Sequence, residues 1–223
     1  MESSYKMSQL TFKFPFKTSY YKNDFYVSSN NFEVYKLLES WPNWSSKNVN
    51  IFGPKGSGKT HLVNILKKKI NSFIIEASDL KNETLQKIKS RECLIIENYN
   101  NNINENLLYS ALNQANQENQ YVVINSQYSI KNCDVTLKDL KSRFESFVDL
   151  GIKLPTDDLL RVILTKSFSD KQIKVNVKLL EYILKNIDRS YEKVFEFIKN
   201  IDSESLSTGK SININLIKKV LRK

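Results

Sequence analysis

Gly53-Pro54-Lys55-Gly56-Ser57-Gly58-Lys59-Thr60 fits G-x-x-x-x-G-K-[ST], a spacing whose chemistry is the holding of a polyphosphate. Glycines at 53, 56 and 58 let the backbone turn its N–H groups inward around phosphate oxygens, in conformations that a Cβ would obstruct. Lys59 is long enough to reach the β- and γ-phosphates, and the Thr60 hydroxyl suits a Mg²⁺ ion. His61, the one histidine of the chain, closes the nucleotide-binding stretch and is read as packing or capping there rather than as catalytic.

The flanks supply the elements that this chemistry needs. Val49, Ile51 and Phe52 form an apolar run that reads as a buried strand. After the loop, Leu62, Val63, Ile65 and Leu66 recur at helical spacing, so a helix would point its positive N-terminus at the same anion. A second strand is expected at Leu94-Ile95-Ile96, with Glu97 at its C-terminal end, where ligands bind in open α/β sheets. Glu97 can hold Mg²⁺ through water. Many P-loop ATPases place a second acid next, to orient or deprotonate the attacking water. Asn98 stands there instead; it can bond a water but cannot take its proton, which predicts slow intrinsic hydrolysis with nucleotide binding intact. Further on, Leu107, Leu108, Ala111, Leu112 and Ala115 have helical spacing, and Tyr121 to Ile124 read as a third strand. That strand ends in Asn125-Ser126-Gln127, residues common in turns.

With 223 residues, 40% of them hydrophobic, the chain can bury a real core. No apolar run approaches the roughly 18 residues of a membrane span. Glu2 and its polar neighbours do not form a secretory leader. Cys93 and Cys133 stand apart, so free thiols in a reducing, cytoplasmic setting are expected, without zinc or redox work. A net charge of +10 is compatible with a polyanion-facing surface, and equally with the Lys, Asn and Ile bias of the whole chain. Lys67-Lys68-Lys69 fits the solvated end of a helix.

In order, these pieces resemble an AAA+ ATPase of the DnaA branch from about residue 24 onward. DFYVSSNN is similar to the segment entering the DnaA nucleotide site, GPKGSGKTHL to its P-loop, LLYSALNQANQ to the helix before its sensor strand, and LPTDDLLRVIL to the start of its helical lid. LKDLKSRFESF resembles the RL-x-SRF element, whose arginine is presented to a neighbouring subunit's nucleotide as an arginine finger; Arg143 matches it. An arginine suits that task because it stays charged and contacts phosphate oxygens through two N–H groups. The resemblance also implies an uncharged γ-phosphate sensor after the third strand, with Gln127 first and Asn125 second. In DRSYEKVFEFI, Glu192 occupies the place of the lid's nucleotide-contacting arginine, and Arg189 is the substitute.

A DnaA-like ATPase module whose sequence stops with the lid is similar to the Hda family, regulatory inactivators of DnaA. Members carry an N-terminal peptide, Gln-Leu-small-Leu-Pro-Leu or Phe, that binds the replicative sliding clamp. Gln9, Leu10, Phe12 and Phe14 follow that pattern, with Phe12 in place of Leu and Lys13 in place of Pro. The alternation of Leu10, Phe12, Phe14 and Phe16 would equally suit a strand, although Pro15 argues against an inner one.

The expected fold is therefore α/β: an AAA+ P-loop domain with a parallel sheet flanked by helices, followed by a small all-helical lid. The divisions are 1–23 for clamp peptide and linker, 24–153 for the P-loop domain and 154–223 for the lid. The lid helices are expected around 159–168, 177–187, 191–201 and 214–221. The resemblance implies ADP or ATP with Mg²⁺ as ligands, a weak ATPase at most, and the DnaA initiator and the DNA polymerase III β sliding clamp as partners. DNA contact would be indirect through the clamp, and a homo-oligomer is compatible with the finger. The rival is an AAA+ factor that grips DNA or loads a helicase directly. A metabolic P-loop kinase is disfavoured by the SRF element.

Overall fold

A computed structural model describes residues 25–173, 175–209 and 211–222. Gln9, Leu10, Phe12 and Phe14 lie outside the described residues. Between Leu154 and Pro155 the chain divides into two compact units.

The first unit is built on five parallel strands, β1 (Asn48–Phe52), β2 (Ser72–Glu76), β3 (Cys93–Tyr99), β4 (Tyr121–Ser126) and β5 (Val148–Gly151), in the order β2-β3-β4-β1-β5. Helices connect them: α1 (Phe32–Glu39) precedes β1, α2 (Lys59–Lys67) follows it, and α3 (Asn82–Ile88), α4 (Glu105–Gln117) and α5 (Lys138–Glu145) complete the crossovers. Parallel strands covered on both faces read as continuous apolar runs, as Cys93 to Ile96 do. Alternation divides them. Val49, Ile51, Ile95 and Val123 pack against Val34 and Leu38 of α1 and Leu62, Val63 and Leu66 of α2. Leu94, Ile96, Val122 and Ile124 face Leu108, Ala111 and Leu112 of α4 and Leu140 and Phe144 of α5 on the other side. This is the expected α/β arrangement of a parallel sheet flanked by helices.

The order matters to function because β3, β4 and β1 are neighbours whose C-terminal ends meet at one rim. From β1 the chain crosses past β4 and β3 to form β2, and open α/β sheets bind ligands at such a switch point.

The second unit contains α6 (Asp157–Asp170), α7 (Val177–Asn186), α8 (Tyr191–Thr208) and α9 (Ile214–Leu221). Each starts on a polar cap, with Thr156, Asn176, Ser190 and Asn213 accepting from backbone N–H groups of the first turn. Leu160, Leu164, Ile183, Val194, Ile201 and Ile217 are buried together in an apolar core. Charges pair at the surface, as in Arg161–Glu181 and Lys171–Asp202. None of the described helices is long and apolar enough to cross a membrane.

Candidate nucleotide site

The phosphate loop begins where β1 ends. Gly53 N–H donates to the Ser126 carbonyl at 3.3 Å, which ties the loop to β4. A Cβ on Gly53 would meet the Ile152 carbonyl at 2.7 Å. Gly58, the residue before α2, has φ +94°, and a Cβ there would come within 2.9 Å of the Phe25 ring. Only glycine takes that conformation without strain. Phe25 also meets His61 edge-on, with centroids 5.5 Å apart, and stacks on Tyr35, so His61 packs beside the loop.

Lys59 Nζ donates to the carbonyl oxygens of Gly53 and Pro54, at 2.7 and 3.0 Å. Burial holds its pKa below the ordinary lysine value, opposed by the nearby Glu97 charge. Thr60 Oγ1 donates to Glu97 Oε2 at 2.9 Å, and Asn125 Nδ2 donates to Glu97 Oε1 at 3.0 Å. The hydroxyl suited to Mg²⁺, the acid at the end of β3 and the amide at the end of β4 are thus joined through one carboxylate. Glu97 is buried, and desolvation raises its pKa above the usual carboxylate value despite the two donors that favour its ionised form.

Asn98 interrupts the regular ladder within β3. Its φ is +55°, and the β3–β4 register shifts between Ile96 and Tyr99. An asparagine tolerates this left-handed conformation better than most residues. The side chain leaves Glu97 and donates from Nδ2 to Glu76 Oε2 at 2.9 Å, at the end of neighbouring β2. Gln127 lies just past β4, exposed at the rim of the cleft, with Nε2 3.5 Å from the Tyr128 hydroxyl. Asn125, the second choice from the sequence, is the residue that touches Glu97.

A cleft of about 1470 Å³ is lined by the whole phosphate loop together with Asn98, Gln127 and Tyr128. Among the described residues, Ser57 Oγ and Asn125 Oδ1 are buried without a hydrogen-bond partner. Orphaned polar atoms beside a glycine cradle, a lysine and a Thr–Glu pair fit a phosphate chain with a hard divalent cation. Gly53 to Thr60 would hold the phosphates, and Thr60 and Glu97 the Mg²⁺.

Arg143, on α5, lines a separate depression with Tyr109, Asp139, Ser142 and Ser146. Its Nη2 donates to Asn113 Oδ1 at 2.5 Å, and its carbonyl accepts from the Ser146 hydroxyl. In the helical unit, Arg189 donates to both carboxylate oxygens of Asp157, at 2.6 and 3.0 Å.

No family model matches the chain. The DnaA initiator of Buchnera aphidicola subsp. Cinara cedri is 24% identical over 216 residues, covering 86% of this chain and 49% of that protein. The DnaA of Buchnera aphidicola subsp. Baizongia pistaciae is 26% identical over 245 residues, covering 97% and 53%. The chain is related to DnaA. It spans about half the length of these curated relatives. In structure, domain III of Thermotoga maritima DnaA superposes with a TM-score of 0.78 at 18% identity, covering 94% of this chain and 98% of that one. A Thermotoga maritima RuvB variant follows at 0.64 and 21% identity, covering 86% and 67%. The DnaA-related chain therefore shares its fold with proteins to which it is only 18% and 21% identical.

One further residue was hidden in the sequence. Asn50, in the middle of the apolar run of β1, is fully buried. Its signal was a polar residue between Val49 and Ile51 in the buried part of the strand.

Proposed function

We propose that this DnaA-related protein is a nucleotide-holding, cytoplasmic regulator of replication initiation of the Hda type. ATP or ADP with Mg²⁺ occupies the cleft above Thr60, Glu97 and Asn125. AMPPCP is the ligand of DnaA from Aquifex aeolicus, a structure of the same fold at TM-score 0.65 and 20% identity, which supports a nucleotide here. Gln127, at the rim of the cleft, serves as the γ-phosphate sensor, with Asn125 the second candidate. Gln9, Leu10, Phe12 and Phe14 engage the β sliding clamp, Arg143 meets the ATP of a DnaA subunit, and Arg189 is the lid's arginine. The chain's own nucleotide is then an assembly ligand rather than a fuel.

The observation that carries this reading is the position of Arg143, which lines a depression of its own rather than its own chain's cleft. An arginine in that position is available to a neighbour. A finger supplied in trans is worth roughly 10³ to 10⁵ in rate. The test is DnaA ATP hydrolysis with this protein, with and without DNA-loaded clamp. Stimulation should require the clamp, vanish in Arg143→Ala and weaken when Gln9 and Phe14 are replaced by Ala. Stimulation that survives Arg143→Ala would remove the finger assignment.

A second reading, a DNA-gripping AAA+ factor, is favoured by the +10 charge. It is supported by a DnaA structure of the same fold whose ligands are AMPPCP and single-stranded DNA, at TM-score 0.67 and 19% identity. Tight binding of short DNA without clamp, weakening steeply with salt, would select it.

A further inference from the structure

Asn50 lies on the sheet face that carries Ile96 and Ile124, between its register partners Ile124 and Asp149 and with no exposure. Burying an amide there is costly unless its hydrogen bonds are made. They are made to a single segment. Nδ2 donates to the Ile124 carbonyl at 2.9 Å and to Ser126 Oγ at 2.8 Å, while Oδ1 accepts from Ile130 N–H at 3.2 Å. The Ser126 hydroxyl passes the connection on, donating to the Tyr128 carbonyl at 2.6 Å. Ser129 donates from its hydroxyl to Asp149 on β5. The loop from 126 to 130 is thus pinned at its start, its middle and its end, and two of those three pins lead to Asn50.

This loop carries Gln127 and Tyr128 into the cleft. Asn50 also stands three residues before Gly53, whose N–H is bonded to the Ser126 carbonyl. One buried amide therefore couples the strand that feeds the phosphate loop to the loop that faces it across β4. An apolar residue at position 50 would make none of these bonds and leave the Ser126–Ile130 segment free to take other conformations.

We propose that Asn50 is a positioning residue for the nucleotide site: by clasping residues 126–130 it presets Gln127 and Tyr128 at the cleft, and so lets the site distinguish a nucleoside triphosphate from a diphosphate. The proposal rests on the nucleotide-binding reading above and assigns to β1 a part in ligand discrimination. Phosphates shared by ADP and ATP would be held by the glycine loop, to which the Asn50 side chain makes no bond. Only a group beyond the β-phosphate would depend on the preset loop.

The experiment uses the full chain with Mg²⁺ and measures dissociation constants for ADP and for the non-hydrolysable triphosphate AMPPCP. It is run on the wild type, Asn50→Leu and Ser126→Ala, with hydrogen exchange at Gln127, Tyr128 and Ile130 in the absence of nucleotide. Asn50→Leu should weaken AMPPCP about tenfold, the scale of one or two net hydrogen bonds, leave ADP within about twofold, and speed exchange across 127–130. Ser126→Ala removes the hydroxyl that accepts from Asn50 and donates to the Tyr128 carbonyl, leaves the Asn50 bonds to Ile124 and Ile130 in place, and should show the same pattern at about threefold; it keeps the question answerable if Asn50→Leu does not fold. Equal losses for both nucleotides would make Asn50 a structural residue only, and unchanged AMPPCP binding would also overturn the proposal. If the wild type binds neither nucleotide, the underlying reading falls and the proposal falls with it. If it binds both but equally, the nucleotide reading stands and the discrimination fails.

Discussion

Two carboxylate–amide pairs stand at the ends of adjacent strands, and they differ in almost nothing except burial. Glu97 and Asn125 join β3 to β4 at 3.0 Å; Glu76 and Asn98 join β2 to β3 at 2.9 Å. Glu76 and Glu97 are register partners in the sheet. The inner pair is enclosed, and Thr60 completes it. The outer pair is exposed to water. Distance alone would rank them equal. Desolvation separates them, because a buried acceptor that loses its donor cannot turn to solvent, whereas an exposed one can.

The largest effect should come from breaking the inner pair. Asn125→Leu leaves Glu97 Oε1 buried without its amide donor and should cost roughly 1–3 kcal/mol of stability in a denaturant melt. Glu76→Ala, which removes the outer pair, should stay within about 0.5 kcal/mol of wild type. Similar losses for the two variants would mean that burial is not what distinguishes the pairs.

The pH response of Glu97 sharpens the same contrast. Its folded pKa is raised, chiefly by desolvation, so between the ordinary carboxylate value and the folded value the native state holds more protons than the unfolded chain. Stability then falls as pH rises through that window, since unfolding releases the strain of a buried charge. Mg²⁺–nucleotide binding has the opposite sign, because the cation needs the carboxylate ionised. Affinity should therefore fall on acidification at a pH where exposed carboxylates are still charged, with proton release on binding. Glu97→Gln should weaken Mg²⁺-dependent affinity and abolish this pH dependence; calorimetry in buffers of different ionisation enthalpy measures both.

Much of this region could be read from the sequence. G-x-x-x-x-G-K-[ST] between an apolar run and a helical pattern specifies the strand, the loop and the helix because each needs the others to hold an anion. Glu97 was legible for a related reason: an acid closing a buried run has few roles there. What stayed hidden depended on where strands stop and which face a residue takes. β4 runs on to Ser126, so Asn125 turns toward Glu97 and Ser126 toward Asn50, and Gln127 begins the loop beyond. A one-residue change in that end point exchanges the faces. Asn50 was hidden because a polar residue between Val49 and Ile51 does not announce its partners, which lie more than seventy residues away. Glu76 closes a strand of intermediate burial, whose pattern is weaker than that of the inner strands.

The smallest effect is expected where the sequence suggested a gain. Restoring an acid next to Glu97 should speed hydrolysis if the missing proton acceptor is the only obstacle. Asn98, however, is a donor to Glu76 at 2.9 Å, and Asn98→Asp replaces that donor with a second carboxylate facing the first. The new acid would turn away from its neighbour or draw a cation between them, and in neither case would it be held toward a water in the cleft. Single-turnover hydrolysis by Asn98→Asp should therefore stay within about twofold of wild type, an allowance for a repulsion screened by solvent. The double variant Glu76→Gln, Asn98→Asp restores a donor opposite the new acid and should turn over faster than either single variant. If Asn98→Asp alone raises turnover as much as the double variant does, the outer pair has no hold on Asn98, and the parallel with the inner pair is one of geometry only.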